Sequence, residues 1–187
     1  RSVWENSRDG MRLTDANGQM VRVNQAFCDF VNKSREELEG KPLTDIYVQS
    51  DRERVLSSYL EKYSENKLNP YLERKFKLWN GEEVWFAITN ALLNSNGAHP
   101  LVLSVFRDIT ERKQAEETIR LQTTAFHLVA NAIYITDTTG KIILVNSAFS
   151  KMTGYSAEEV IGNTTGILKS GKQDSLFYKH LWNTILA

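Results

Sequence analysis

The sequence predicts an α+β fold: a five-stranded antiparallel sheet with helices on one face, followed by a linker helix and part of a second copy of the same module. Three observations carry this reading. Segments of strand-like and helix-like character follow in the order strand, strand, several short helices, three strands. Asn-Gly pairs sit between strand-like runs, where both residues tolerate positive φ. Finally, the chain repeats itself. Leu13-Thr14-Asp15-Ala16-Asn17-Gly18 and Val23-Asn24-Gln25-Ala26-Phe27 return as Ile135-Thr136-Asp137-Thr138-Thr139-Gly140 and Val145-Asn146-Ser147-Ala148-Phe149, so Asp15 and Asp137, like Asn24 and Asn146, stand 122 residues apart. The register persists through Ser34, Glu36, Glu37 and Gly40, which match Ser156, Glu158, Glu159 and Gly162.

Each element has a local reason. Met11–Thr14 and Met20–Val23 form a hairpin across Asp15–Gly18. Asn24 caps a helix whose Phe27, Phe30 and Val31 share a face. Ser34 and Glu37 have capping-box spacing, and Gly40 ends that short helix. Ser50-Asp51-Arg52-Glu53 opens a longer helix with Val55, Leu56, Tyr59, Leu60 and Tyr63 as its apolar stripe. Three strands are expected at Tyr71–Trp79, Glu83–Leu93 and Leu101–Asp108, the first two joined at Asn80-Gly81 and the last two by Asn94–Pro100. Alternation puts Val84, Phe86, Ile88, Asn90 and Leu92 on one side of the middle strand, with Val102, Ser104 and Phe106 on the matching side of the last. The opposite face, with Trp85, Ala87, Thr89, Leu103 and Val105, is apolar enough to need a cover. The polar stretch from Glu111 carries Ala115, Ile119, Gln122, Phe126, Val129 and Ile133 at a/d spacing. The expected divisions are 1–110, a linker helix at 111–124, and 125–187 as the front of a second copy, which stops at the equivalent of Glu65.

Composition excludes several classes. The 187 residues hold 23 basic and 23 acidic side chains, so no net positive field favours nucleic acid. One cysteine leaves no disulfide framework and no multi-cysteine zinc site. No apolar run approaches bilayer length. The chain opens at Arg1 rather than a methionine and is read as a segment of a longer protein. Catalysis would need a nucleophile with its base, a metal cluster or a phosphate loop; three scattered histidines and no Gly-rich loop supply none, so no catalytic or metal-binding residue is assigned.

Asp15 with Gly18, the Val-Asn-x-Ala-Phe block, Ser-x-Glu-Glu-Leu with Gly40, Asn80-Gly81-Glu82-Glu83-Val84-Trp85 and the closing Asp108-Ile109-Thr110-Glu111-Arg112-Lys113 together resemble the PAS domain family. The resemblance covers nearly the whole first copy and the front half of the second. It implies a PAS-like fold and a sensory or dimerisation module that binds a small ligand or cofactor and signals to an output domain. Asp108 and Thr110 then couple the last strand to the signalling helix. From the residues alone, either one can cap that helix.

For the ligand pocket of the first copy the sequence nominates Phe30, Phe86, Ile88, Asn90, Ser104 and Phe106. Asn90 and Ser104 are its polar members, and their partners are either protein groups and water or a ligand. Light-sensing flavin PAS domains carry a reactive cysteine near a later helix and a glutamine on the last strand. Here Cys28 falls at another place and Phe106 holds the glutamine's position, so no cofactor is required of the first copy. In the second, His180 resembles a haem ligand, and Ile167–Gly171 with Trp182 resembles FAD-binding redox sensors. The plain alternatives are a surface histidine and a core tryptophan. The expected whole is a non-catalytic, cytoplasmic sensory module of a bacterial histidine kinase or cyclic-dinucleotide enzyme. It pairs as a homodimer through the linker helix, precedes an output domain in the same chain, and makes no contact with nucleic acid or membrane. A redox sensor holding FAD or haem and a ligand-free dimerisation module are the alternatives.

Overall fold

The computed structural model describes residues 2–94, 99–169 and 171–185. The chain divides into two compact units, Arg1–Glu116 and Glu117–Ala187. In the first, α1 (Ser2–Asn6) precedes β1 (Gly10–Thr14), β2 (Met20–Val23), α2 (Gln25–Val31), α3 (Arg35–Leu38), a 3-10 turn at Leu43–Ile46, α4 (Gln49–Ser64), β3 (Tyr71–Lys77), β4 (Glu83–Leu93) and β5 (Leu101–Asp108). Helix α5 (Thr110–Leu128) then carries residues of both units. The five strands form one antiparallel sheet in the order β2-β1-β5-β4-β3. Arg12 stands opposite Ser104, and Ser104 opposite Asn90, so these three share a row across β1, β5 and β4.

The helices cover the face that alternation selects. Val84, Phe86 and Ile88 of β4 are buried, as are Val102, Ser104 and Phe106 of β5. Phe76, Phe86 and Phe106 meet edge to face, with Phe76 and Phe86 centroids 5.4 Å apart and Phe86 and Phe106 5.7 Å apart. Phe27 of α2 closes on Phe106 at 5.0 Å. Such pairs add to the area term about 0.5–1.5 kcal/mol each. Gly10 admits this closeness: a Cβ there would lie 2.9 Å from the Phe30 ring and 3.1 Å from the backbone of Phe27. The opposite face is partly covered by the start of α5, where Lys113 Nζ lies 5.5 Å from the Trp85 ring centroid.

Several expectations are corrected. The strand expected to reach Trp79 ends at Lys77, because Leu78 bridges Tyr47 and the Trp79 N–H donates to Ile46 O at 3.0 Å. Leu92 is 40% exposed, since β4 outruns the helical layer. Helix α4 starts at Gln49 after Val48, without a side-chain cap. Helix α5 stops at Leu128, so Val129 and Ile133 leave the a/d seam. The Ile133 N–H instead donates to Asn146 Oδ1 at 2.9 Å. Of the expected Asn94–Pro100 connection, residues 95–98 lie outside the described residues.

The second unit contains β6 (Tyr134–Thr136), β7 (Ile142–Val145), α6 (Ser147–Thr153), α7 (Ala157–Val160), a 3-10 turn at Thr165–Leu168 and α8 (Ser175–Ile185). It repeats the local devices of the first. Asn24 caps α2 at φ −94°, ψ 172°, and Asn146 caps α6 at φ −93°, ψ 171°. Ser34 and Ser156 each form a complete capping box, with Glu37 and Glu159 reaching back. Asp15 Oδ1 accepts from the Asn17 and Gln19 N–H groups, as Asp137 Oδ1 accepts from Thr139 and Lys141. A smaller core of Ile142, Val145, Phe149 and Val160 holds this unit together.

Candidate functional site

A cavity of about 120 Å³ lies between the sheet and α4 in the first unit. Leu72 and Arg74 of β3, Ile88 and Asn90 of β4, and Ser104 and Phe106 of β5 form its sheet wall, and Val55, Ser58, Tyr59 and Lys62 of α4 its roof. Four of the six residues nominated from sequence therefore meet there: Ile88, Asn90, Ser104 and Phe106. Phe30 and Phe86 do not line it; Phe30 packs on Phe86 with centroids 5.6 Å apart, inside the aromatic core beside the cavity. Asn90 is satisfied by the protein. Its Nδ2 donates to Asn69 O at 2.8 Å, and its Oδ1 accepts from Ser104 Oγ at 2.7 Å.

Sequence reasoning missed Arg12. It lines the cavity, is 6% exposed, and its Nε and Nη1 have no hydrogen-bond partner among the described residues. Its guanidinium carbon lies 5.1 Å from the Phe106 centroid and 5.7 Å from that of Phe27. Burial pushes its pKa down, but arginine remains charged in proteins. Cation–π contact offsets part of the desolvation, ~2 kcal/mol for a desolvated pair, against a penalty of about several kcal/mol for an unpaired buried ion. Within β1 the apolar residues Met11 and Leu13 alternate with Arg12, so apolarity alone does not turn Arg12 inward. The usable signal was register: pairing β1 with β5 puts Arg12 opposite inward Ser104.

The other face of the same strands holds α5. Glu73, between the cavity-lining Leu72 and Arg74, binds Arg112 Nη2 at 2.7 Å and Lys113 Nζ at 2.8 Å, and accepts from Tyr71 Oη at 2.8 Å. The hydrogen bond from Lys113, then those from Tyr71 and Arg112, hold the Glu73 carboxyl down to about 2. The Trp85 N–H donates to Thr110 Oγ1 at 3.0 Å, and its carbonyl accepts from the Ile109 N–H at 2.9 Å. Asp108 Oδ1 accepts from the Thr110 N–H at 2.8 Å. Asp108 thus holds the first residue of α5, while Thr110 ties that residue to β4.

A family model described as PAS domain matches residues 8–111, and one described as PAS fold matches residues 122–187. The chain belongs to the PAS domain family. Its relatives include sensor kinases and a diguanylate cyclase. The chain is 30% identical over 119 residues to the probable diguanylate cyclase DgcE of Escherichia coli, covering 63% of this chain and 11% of that protein. It is 25% identical over 167 residues to sporulation kinase E of Bacillus subtilis, covering 86% of this chain and 21% of the kinase. The chain thus spans a small part of the curated relatives it matches. The PAS domain of BvgS from Bordetella pertussis superposes with a TM-score of 0.50 at 16% identity, over 67% of this chain and 94% of that structure, which shows the fold.

Of the cofactor candidates in the second PAS unit, His180 is the one whose side chain lies among the described residues. His180 is exposed and is not among the described residues that line the recess formed by Tyr134, Gly140, Leu168, Tyr178 and Leu181. The side chain of Trp182 and the whole of Ser170 lie outside the described residues. In the first PAS unit Cys28 is buried, and burial pushes its thiol pKa up, away from the reactive thiolate. His99 is exposed, and His127 Nδ1 lies 3.2 Å from Ser147 Oγ. Among the described residues no group of three His, Cys, Asp or Glu side chains could hold a metal ion, and no helix is long and apolar enough to cross a membrane.

Proposed function

We propose that residues 1–110 form a non-catalytic PAS sensor that converts occupancy of the Arg12 cavity into a change at the start of α5. The carrying observation is the alternation along β3: Leu72 and Arg74 line the cavity, and Glu73 between them holds Arg112 and Lys113 on the other face. Side chains on successive strand residues point to opposite faces, so a ligand that shifts the backbone at 72 and 74 also moves the clamp at 73. Trp85 of β4 adds a second tie through Thr110. Residues 111–124 act as the signalling helix toward a histidine kinase or cyclic-dinucleotide output domain in a bacterial, cytoplasmic setting, with a second PAS copy from residue 125. The helix also pairs two chains: Ile119 lies on the Ala115, Ile119, Gln122, Phe126 row and is 63% exposed.

The test uses the full-length signalling protein. Glu73→Gln and Thr110→Val should leave ligand affinity unchanged while reducing the ligand-dependent change in output. A full response in both variants contradicts the coupling. Ile119→Glu should shift the chain from dimer to monomer in light scattering. A monomeric wild-type chain at high concentration contradicts the pairing.

A further inference from the structure

The small-molecule sensor reading leaves the ligand's chemistry open, and the cavity wall narrows it. Three cationic side chains, Arg12, Lys62 and Arg74, line the space, and among the described residues no Asp or Glu does. Arg12 is the decisive member, with Nε and Nη1 buried and unpartnered among the described residues. An arginine retained in a core without a carboxylate is a group awaiting an anion, because its planar fork matches a carboxylate bidentately. The rest of the wall is largely apolar, with Leu43, Val55, Leu72, Ile88 and Val102. An inorganic anion would leave that surface unused, whereas an organic acid with a short hydrocarbon tail would bury against it. The size favours a short tail: about 120 Å³ is the liquid share of about four waters and lies below the range of drug-sized pockets.

Resting on the sensor reading above, we propose that the first PAS unit binds a short-chain monocarboxylate, its carboxylate on the Arg12 guanidinium and its tail against the aliphatic wall of the cavity. Asn90 and Ser104 already satisfy each other, so they frame the site instead of supplying the charge.

The experiment is calorimetric titration and thermal melting of the 187-residue chain at fixed ionic strength. The probes are sodium acetate, propionate, butyrate and lactate, the neutral amides of the same acids, and inorganic phosphate. At least one carboxylate should saturate and raise the melting temperature, with its amide weaker by ~10- to ~100-fold, the value of a charge-assisted contact. Arg12→Met should abolish carboxylate binding without lowering the melting temperature of the unliganded chain, and Arg12→Lys should retain part of the affinity. The amide comparison needs no variant, so a misfolded Arg12→Met does not blunt the test. The proposal is overturned if phosphate binds more tightly than every carboxylate, if amides bind as well as their acids, or if Arg12→Met keeps the affinity. Saturable binding of a neutral probe alone would remove the carboxylate and keep the sensor. If no probe binds, and native mass spectrometry of the purified chain finds no retained small molecule, the sensor reading falls as well.

Discussion

The two PAS units share their local devices and differ in what those devices enclose. Asn24 and Asn146 are 0% and 1% exposed, and each bonds two backbone N–H groups through Oδ1 and upstream carbonyls through Nδ2. Twelve positions before each asparagine the likeness ends. Arg12 is 6% exposed, whereas Tyr134, its counterpart, is 46% exposed. Ile135 and Leu144 are also exposed, on a sheet that has two strands among the described residues. In the first unit β3, β4 and β5 wall in the cavity. Turn chemistry and capping are written within about 30 residues of chain, but a sensory cavity requires strands from far along the sequence.

The strongest way to break this comparison is to remove its shared keystone. Asn24→Ala leaves the Met11 and Phe27 N–H groups without their acceptor. At about 1–3 kcal/mol for each buried unpaired donor, the first unit should lose ~3 kcal/mol in urea unfolding. Asn146→Ala should act only on the second unit, as followed by residue-resolved amide exchange. A loss below ~1 kcal/mol for both would show that the motif does not hold the units together.

Replacing the buried charge sharpens the contrast. Arg12→Leu should stabilise the unliganded first unit by about 1–3 kcal/mol, because it removes an unpaired ion from the core. Tyr134→Leu, at an exposed position, should change stability by less than ~0.5 kcal/mol. Destabilisation by Arg12→Leu would mean that the stacking on Phe27 and Phe106 outweighs desolvation. Ser34→Ala and Ser156→Ala should each cost ~1 kcal/mol and by similar amounts, since the two capping boxes share one geometry.

Glu73 gives the smallest effect, and among the described residues of the second unit it has no counterpart. Its folded pKa, about 2, lies below its ordinary value of 4.5, so its contribution is fully present above pH ~4.5. It is lost as pH falls toward 2. Glu73→Gln should flatten the acid limb of α5 helicity in that window and leave the neutral-pH melting temperature nearly unchanged, as expected of a solvent-accessible ion pair.

What was legible in the sequence divides along the same line. The hairpin, the Asn caps, the capping boxes and the repeat register depend on neighbouring residues, and the structure realises them. The inward row of β4 was legible through Ile88 and Asn90, because alternation persists wherever helices lie on the sheet, and it failed at Leu92, where the strand passes beyond them. Phe30 and Phe86 were read as pocket wall because size and apolarity do not distinguish a lining ring from a core ring. Arg12 and Glu73 were missed for another reason. Each takes its meaning from an element more than 35 residues away, Arg12 from strand β5 and Glu73 from the return of helix α5 across β3.

Residue-resolved amide exchange on the chain with and without propionate tests the central claim most directly. The account predicts slower exchange with ligand at residues 10–14, 71–77, 84–90 and 101–113, the cavity wall and the start of α5, with no change at 134–149. An equal response in both units, or slower exchange in the cavity wall with none at 109–113, would contradict it.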